Sequence, residues 1–296
     1  MNPTNNNTEW TSPLIHVQAS TVADEPRAAK VLSFLHGHDD TQDAVLIPCA
    51  DEKERSDAGK AAKRANHWRL LIGEELPCLY RPDGVGWRID FRSAKSQRRA
   101  AESDRTQQPL SRALGISKLS ADERKSWHIV DGTAGAGRDG WQLAAAGAKV
   151  TWVEQHPVLF TLLHEALSAA YEDAATQAIA ENIHVINGRI ENIALDQTTH
   201  LQTPANAVYL DPMYPVRRSK AAVKKPMQFI QALVGGGPDP KTMVLNCIDA
   251  LCHPELNRVV VKRPSEAPPL VNAEQAKVQQ VSIDAGAARF DVYLKP

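Results

Sequence analysis

The stretch Trp127-His128-Ile129-Val130-Asp131-Gly132-Thr133-Ala134-Gly135-Ala136-Gly137-Arg138-Asp139-Gly140 decides the fold. It reads as a short apolar strand over Trp127 to Val130, a glycine-rich turn, and a helix opening at Arg138. Glycines at such a turn let backbone approach a ligand where a Cβ would collide, and the helix that follows offers N–H groups with no intrahelical partner. The same order of strand, helix and strand then repeats. Strands are predicted at Lys149 to Val153, Ile183 to Ile186, Ala207 to Leu210 and Arg258 to Val261, with helices at Arg138 to Ala146, Pro157 to Ala170, Ala221 to Leu233 and Asp239 to Leu251. That alternation implies parallel strands joined by right-handed crossovers, a mostly parallel, doubly wound α/β sheet. Two extended segments, Val278 to Ile283 and Arg289 to Leu294 around Asp284-Ala285-Gly286, read as a closing antiparallel hairpin.

Upstream the pattern differs. Short apolar runs at Ala44 to Ile47, Trp68 to Ile72, Cys78 to Tyr80 and Trp87 to Phe91 alternate with helical candidates at Pro26 to His36 and Glu52 to Asn66. This describes a smaller mixed α/β domain over residues 1–105, followed by the main domain over 106–296. No motif assigns chemistry to the upstream part, and a role in docking a macromolecular substrate is the expectation for it.

Composition bounds the function. The chain has 296 residues, 43% hydrophobic and 23% charged, with a net charge of −1. These values describe an ordinary globular protein that needs a local basic patch to grip any polyanion. Neither a signal-like N-terminus nor an apolar run of membrane-spanning length occurs, so a cytoplasmic location is expected. Cys49, Cys78, Cys247 and Cys252 form no Cys-x-x-Cys pair, and the ten histidines show no ligand spacing, so no metal site is expected.

In open parallel sheets, ligands bind outside the carboxyl ends of the strands. Gly135, Gly137 and Gly140 match the dinucleotide fingerprint G-x-G-x-x-G, and Glu154 ends the next strand where an acid holds ribose hydroxyls. A nicotinamide oxidoreductase and an S-adenosylmethionine methyltransferase therefore compete for one loop. Asp131 favours the second, because a carboxylate repels a pyrophosphate and suits a cationic sulfonium. Arg138 and Asp139 supply ion partners for a zwitterionic methionine moiety, while Gln155 and the Gly188-Arg189 turn border the adenine.

Val208-Tyr209-Leu210-Asp211-Pro212-Met213-Tyr214-Pro215 is the second informative stretch. The amino nitrogen of a nucleobase is a weak nucleophile, so a catalyst must aim acceptors at its hydrogens. Asp211 and the Pro212 carbonyl suit that role, and Tyr214 suits stacking on the ring. Immediately downstream, Arg217, Arg218, Lys220, Lys224 and Lys225 place five cations within nine residues with no acid among them, as phosphate contacts require. Lys262 and Arg263, ending the run Val259-Val260-Val261, are expected to extend this patch.

Asp131 to Gly140, Val208 to Gln228, Lys262-Arg263-Pro264 and Pro268-Pro269-Leu270 together resemble the ribosomal RNA small subunit methyltransferase J family. The resemblance covers about residues 105 to 296 and includes Pro109-Leu110-Ser111-Arg112-Ala113-Leu114-Gly115. It implies a Rossmann-like class I S-adenosyl-L-methionine-dependent fold, and methyl transfer to the 2-amino group of a guanine in small-subunit (16S) ribosomal RNA or an assembled subunit. It also carries cofactor contacts onto Arg138, Asp139, Glu154, Gln155, Gly188, Arg189 and Asp211. Two departures stand out: Ser103-Asp104-Arg105 replaces a glycine-rich stretch of the family, and Tyr214 stands where Phe is commoner. An amino-methyltransferase acting on DNA adenine or cytosine is the alternative, since the Asp211 motif suits any planar amine; a non-catalytic nucleotide-binding RNA factor is the third reading.

Overall fold

A computed structural model of the protein describes residues 13–47, 52–73, 75–101, 105–195, 201, 203–213, 225–235, 239–272, 274 and 276–295. The chain forms two compact units, one of residues 1–87 with 214–237 and one of residues 88–213 with 238–296.

The smaller unit carries a five-stranded sheet in the order β2-β1-β3-β4-β5, with β1 at Ile15–Ala19, β2 at Val45–Ile47, β3 at Trp68–Ile72, β4 at Cys78–Tyr80 and β5 at Gly86–Trp87. β1 pairs in parallel with β2 and β3, and β4 runs antiparallel to β3 and β5. Ile15, Val17 and Ala19 alternate inward against Ala28, Val31 and Leu35, which share one face of the helix Glu25–His36 at helical spacing. β1 was absent from the sequence-based expectation because His16 and Gln18 interrupt it. It is nonetheless paired on both sides, with Gln18 fully buried and accepting a hydrogen bond from Arg69 at 2.9 Å. The helix Lys225–Val234 also belongs to this unit, where Phe229, 1% exposed, meets Trp68 and Trp87 at ring separations of 5.8 and 5.6 Å.

The larger unit is built on a seven-stranded sheet in the order β11-β12-β10-β9-β6-β7-β8. Its strands are β6 at His128–Asp131, β7 at Lys149–Glu154, β8 at Ile183–Asn187, β9 at Ala207–Leu210, β10 at Arg258–Pro264, β11 at Gln279–Asp284 and β12 at Ala288–Leu294. The five from β6 to β10 are parallel; β12 and β11 close the edge antiparallel. Strand order reverses between β6 and β9, which makes that pair the switch point.

β6 and β9 are buried along their whole length, as strands covered on both faces must be. Val130, Val153, Val208, Leu210, Val259 and Val261 pack with Met243, Val244, Cys247 and Ile248 of the helix Pro240–Asp249. The alternate residues point the other way, where Trp152 meets Gly140 of the helix Arg138–Ala145. Each fully buried Val, Leu or Ile here contributes about 1.5–3 kcal/mol. Cys78 and Cys247 are buried free thiols, Cys252 is an exposed one, and burial pushes the Cys247 thiol up to about 12.

The units part at Trp87/Arg88, upstream of the residue 105 expected from the sequence. The run Trp87 to Phe91 is divided: Trp87 belongs to the smaller sheet, whereas Phe91 stacks on Trp141 at 4.5 Å and lies 5.4 Å from Trp152 in the larger unit. Among the described residues no helix is long and apolar enough to cross a membrane, and no group of three or more His, Cys, Asp or Glu is placed to hold a metal ion.

Candidate active site at the strand tips

The loop after β6 is shaped by what a side chain would meet. Gly135 and Gly137 take left-handed φ values of 53° and 69°, which glycine adopts without strain. A Cβ on Gly140 would lie 1.9 Å from Nε1 of Trp152, so only glycine lets the first turn of the helix Arg138–Ala145 rest on β7. The loop is also tied down electrostatically. Gly135 N–H donates to Oε2 of Glu154 and His156 N–H to its Oε1, both at 2.8 Å, leaving Glu154 only 6% exposed at the end of β7. Burial pushes its carboxyl up to about 7 against the opposing pull of those N–H groups.

The second half of the site lies at the tips of β9 and β10. Asp211 follows Leu210, the last residue of β9, and its N–H donates to Oγ1 of Thr133 at 2.7 Å, joining the two loops of the switch point. Lys262 of β10 donates to Asp211 at 2.8 Å and to Asp139 at 3.0 Å. The hydroxyl of Tyr209 donates to the same Asp139 oxygen at 2.6 Å. Strand parity explains the convergence, since Tyr209, pairing with Asp131 on β6 and Val260 on β10, points away from the helix Pro240–Asp249, as does Lys262.

Four carboxylates, Asp131, Asp139, Asp211 and Glu154, thus share this region with one bridging ammonium. Asp131 is 2% exposed, and burial, then the charge on Asp139, hold its carboxyl well above the ordinary range. Asp211 is raised by burial, pulled down by Lys262 and raised again by Asp139, with a net upward shift. Burial opposes the charge on Lys262, but the two carboxylates outweigh it and hold the ammonium in place. The Tyr209 hydroxyl is pushed well above its usual value by burial and by Asp139 and stays protonated. With Asp131 and Glu154 pushed toward their neutral forms, Asp139 and Asp211 still outnumber the one bridging ammonium, and a ligand that carries positive charge fits beside them.

The remaining sequence-predicted positions divide clearly. Gly188 N–H donates to the Glu154 carbonyl at 3.0 Å, and Arg189 precedes a short 3-10 turn, so both lie at the tip of β8 beside Gln155. Arg138 is exposed on the first turn of its helix, where partial desolvation and then Arg99 lower its pKa. Pro212 is buried directly after Asp211. Tyr214, Arg217, Arg218, Lys220 and Lys224 lie outside the described residues, and Lys225 begins the helix Lys225–Val234.

Lys262 and Arg263 do not extend a phosphate-binding surface. Neighbours on a strand point to opposite faces, so Lys262 turns to the carboxylates while Arg263, 5% exposed, donates to the Pro268 carbonyl. Sequence reasoning also missed Thr133 and Tyr209. The available signal was the parity of Tyr209 with Asp131, which becomes visible only once β6 and β9 are known to be neighbours.

The chain matches the family described as "Putative SAM-dependent methyltransferase" over residues 68–295. It is 37% identical over 269 residues to a ribosomal RNA small subunit methyltransferase J from Thioalkalivibrio sulfidiphilus, covering 86% of this chain and 98% of that one. It is 38% identical over 233 residues to a protein of the same name from Halorhodospira halophila, covering 76% and 80%. Its fold is shared with the crystal structure of a SAM-dependent methyltransferase from Neisseria gonorrhoeae, at a TM-score of 0.59 and 22% identity over 95% of this chain and 96% of that one.

Proposed function

Because the chain belongs to the ribosomal RNA small subunit methyltransferase J family, we propose that it methylates the exocyclic 2-amino group of a guanine in small-subunit ribosomal RNA, acting in the cytoplasm. S-adenosylmethionine, when bound, supplies the methyl group and a thioether leaving group. The single observation that carries this reading is the acid at the switch point: Asp211 is tied through its own N–H to the glycine loop and through its carboxylate to Lys262.

In this reading Asp131 and Asp139 face the positive end of the methyl donor, with Arg138 pairing its carboxylate. Glu154 holds the ribose hydroxyls with oxygens that also accept from Gly135 and His156, and Gln155, Gly188 and Arg189 border the adenine. Asp211 and the Pro212 carbonyl accept from the guanine amine, and Tyr214 stacks on its ring. With the donor held there, the amine would gain the methyl group as the thioether leaves, and the nitrogen would then give up one proton. No strong base is required, because the attacking nitrogen becomes acidic as it gains positive charge. Lys262 opposes the effect of burial and pulls Asp211 toward its ionised form. Arg217, Arg218, Lys220, Lys224 and Lys225 contact phosphates around the target, which must be unpaired or flipped out for its amine to be reached.

The test is to incubate the protein with methyl-labelled S-adenosylmethionine and, separately, ribosomal RNA, small subunits and DNA, then digest each product to nucleosides. Label in N2-methylguanosine from RNA is expected; label confined to adenine or cytosine of DNA would overturn the proposal. Asp211→Ala should lower turnover at least a hundredfold while cofactor affinity stays within about tenfold.

A further inference from the structure

A recess of about 560 Å³ opens on the smaller unit between the helix Glu52–Arg64 and the strands β3 and β4, with Lys60, Lys63, His67, Arg69, Tyr80 and Arg81 on its walls. That volume falls within the range of small-molecule sites, roughly 300–1,000 Å³. Among the described residues that line it, none is acidic. Among the described residues, Lys60, Lys63, Arg69 and Arg81 line it, with Asp57 pairing Lys60 and Asp83 pairing Arg81 at its edge. Exposed pairs of this kind are held by only about 0–1 kcal/mol, and an incoming phosphate can displace them.

Arg69 is the organised element. Its guanidinium lies 4.6 Å from the centre of the Tyr80 ring and donates to the buried side chain of Gln18 at 2.9 Å. The backbone of the helix at Gly59 passes so close that a Cβ there would stand 3.3 Å from Nη1 of Arg69. A flat cation fixed on an aromatic ring, with two exposed lysines one helical turn apart beside it, combines a stacking surface with phosphate contacts. This is the chemistry by which proteins hold single-stranded nucleic acid without reading its sequence.

We propose that this recess is a second RNA contact, in which Lys60 and Lys63 take phosphodiesters of an unpaired strand and the Arg69–Tyr80 pair takes a base. The proposal rests on ribosomal RNA being the substrate, and it adds an anchor in a unit that carries none of the strand-tip acids.

The test is fluorescence anisotropy with the full chain and a fluorescein-labelled single-stranded RNA of about a dozen nucleotides, titrated across a range of salt concentrations. Lys60→Glu with Lys63→Glu, both exposed, should weaken binding at least tenfold. The double change should also flatten the log–log salt dependence by about 1.4, at roughly 0.7 per lost phosphate contact. Tyr80→Leu should weaken binding about tenfold without changing that slope, its thermal midpoint being checked alongside. Unchanged affinity and slope in the double variant overturn the proposal. So does displacement of the RNA by inorganic phosphate as readily as by unlabelled RNA, or stronger wild-type binding to DNA of the same sequence. Binding is read here without turnover, so absence of methyl transfer in the labelling experiment would sink the proposed reaction and leave this result intact.

Discussion

Lys262 bridges Asp211 and Asp139, and its removal tests how the acid is kept charged. Without the ammonium, burial and Asp139 act unopposed on Asp211 and its pKa rises further. Lys262→Met should therefore lower kcat about 10–100-fold and move the acidic limb of the kcat–pH profile upward, so that the loss is larger at pH 6 than at pH 8. A uniform loss at all pH values would show Lys262 to be structural only. Glu154 gives a second residue-scale prediction, with the sign set by its direction of shift. The native state holds a proton up to about pH 7 that the unfolded chain releases near its ordinary value of 4.5. The ligand-free protein should thus lose stability as pH rises through that window, by about 3 kcal/mol from this one group. Glu154→Gln should remove that share of the slope in denaturant titrations at pH 5 and pH 7.5. The sequence displayed Asp211 and Glu154 as strand-end acids, but the state of each depends on neighbours from other strands, which no linear reading supplies.

At the scale of elements, the parallel strands and their helices were legible because buried strands read as unbroken apolar runs between glycine or proline breaks. The boundaries of β7, β8 and β9 fall within a residue of expectation. What failed was short or two-sided: β1 alternates His16 and Gln18 with apolar residues, and Lys262-Arg263 looked like one patch until its strand separated the two faces. The third glycine of the fingerprint is where the element and the site meet. Gly140→Ala would drive a methyl group into the Trp152 indole, and the helix must shift to relieve it. The expected cost is about 1–3 kcal/mol of stability together with weaker cofactor binding, measurable by denaturation and by calorimetric titration with S-adenosylmethionine. Normal affinity in that variant would show that the loop adjusts independently of the helix.

At the scale of the molecule, the division near residue 105 was read from a change in pattern, and the contacts part elsewhere because aromatic side chains choose partners across long sequence distances. Phe229 is the clearest case: it lies far along the chain from Trp68 and Trp87, yet the three share one cluster. Phe229→Ala should destabilise the smaller unit by about 3–5 kcal/mol, with amide exchange accelerated in β3 and β5 before it changes in β6 and β9. Equal acceleration throughout would mean that the units unfold together. The chain passes from one unit to the other three times, at 87/88, 213/214 and 237/238. No single cut therefore releases either half whole. A chimera that exchanged the first 87 residues alone would set a foreign sheet against the host's own helix Lys225–Val234, so a grafted N-terminal piece keeps the seat of Phe229 only if its counterparts of Trp68 and Trp87 match that ring.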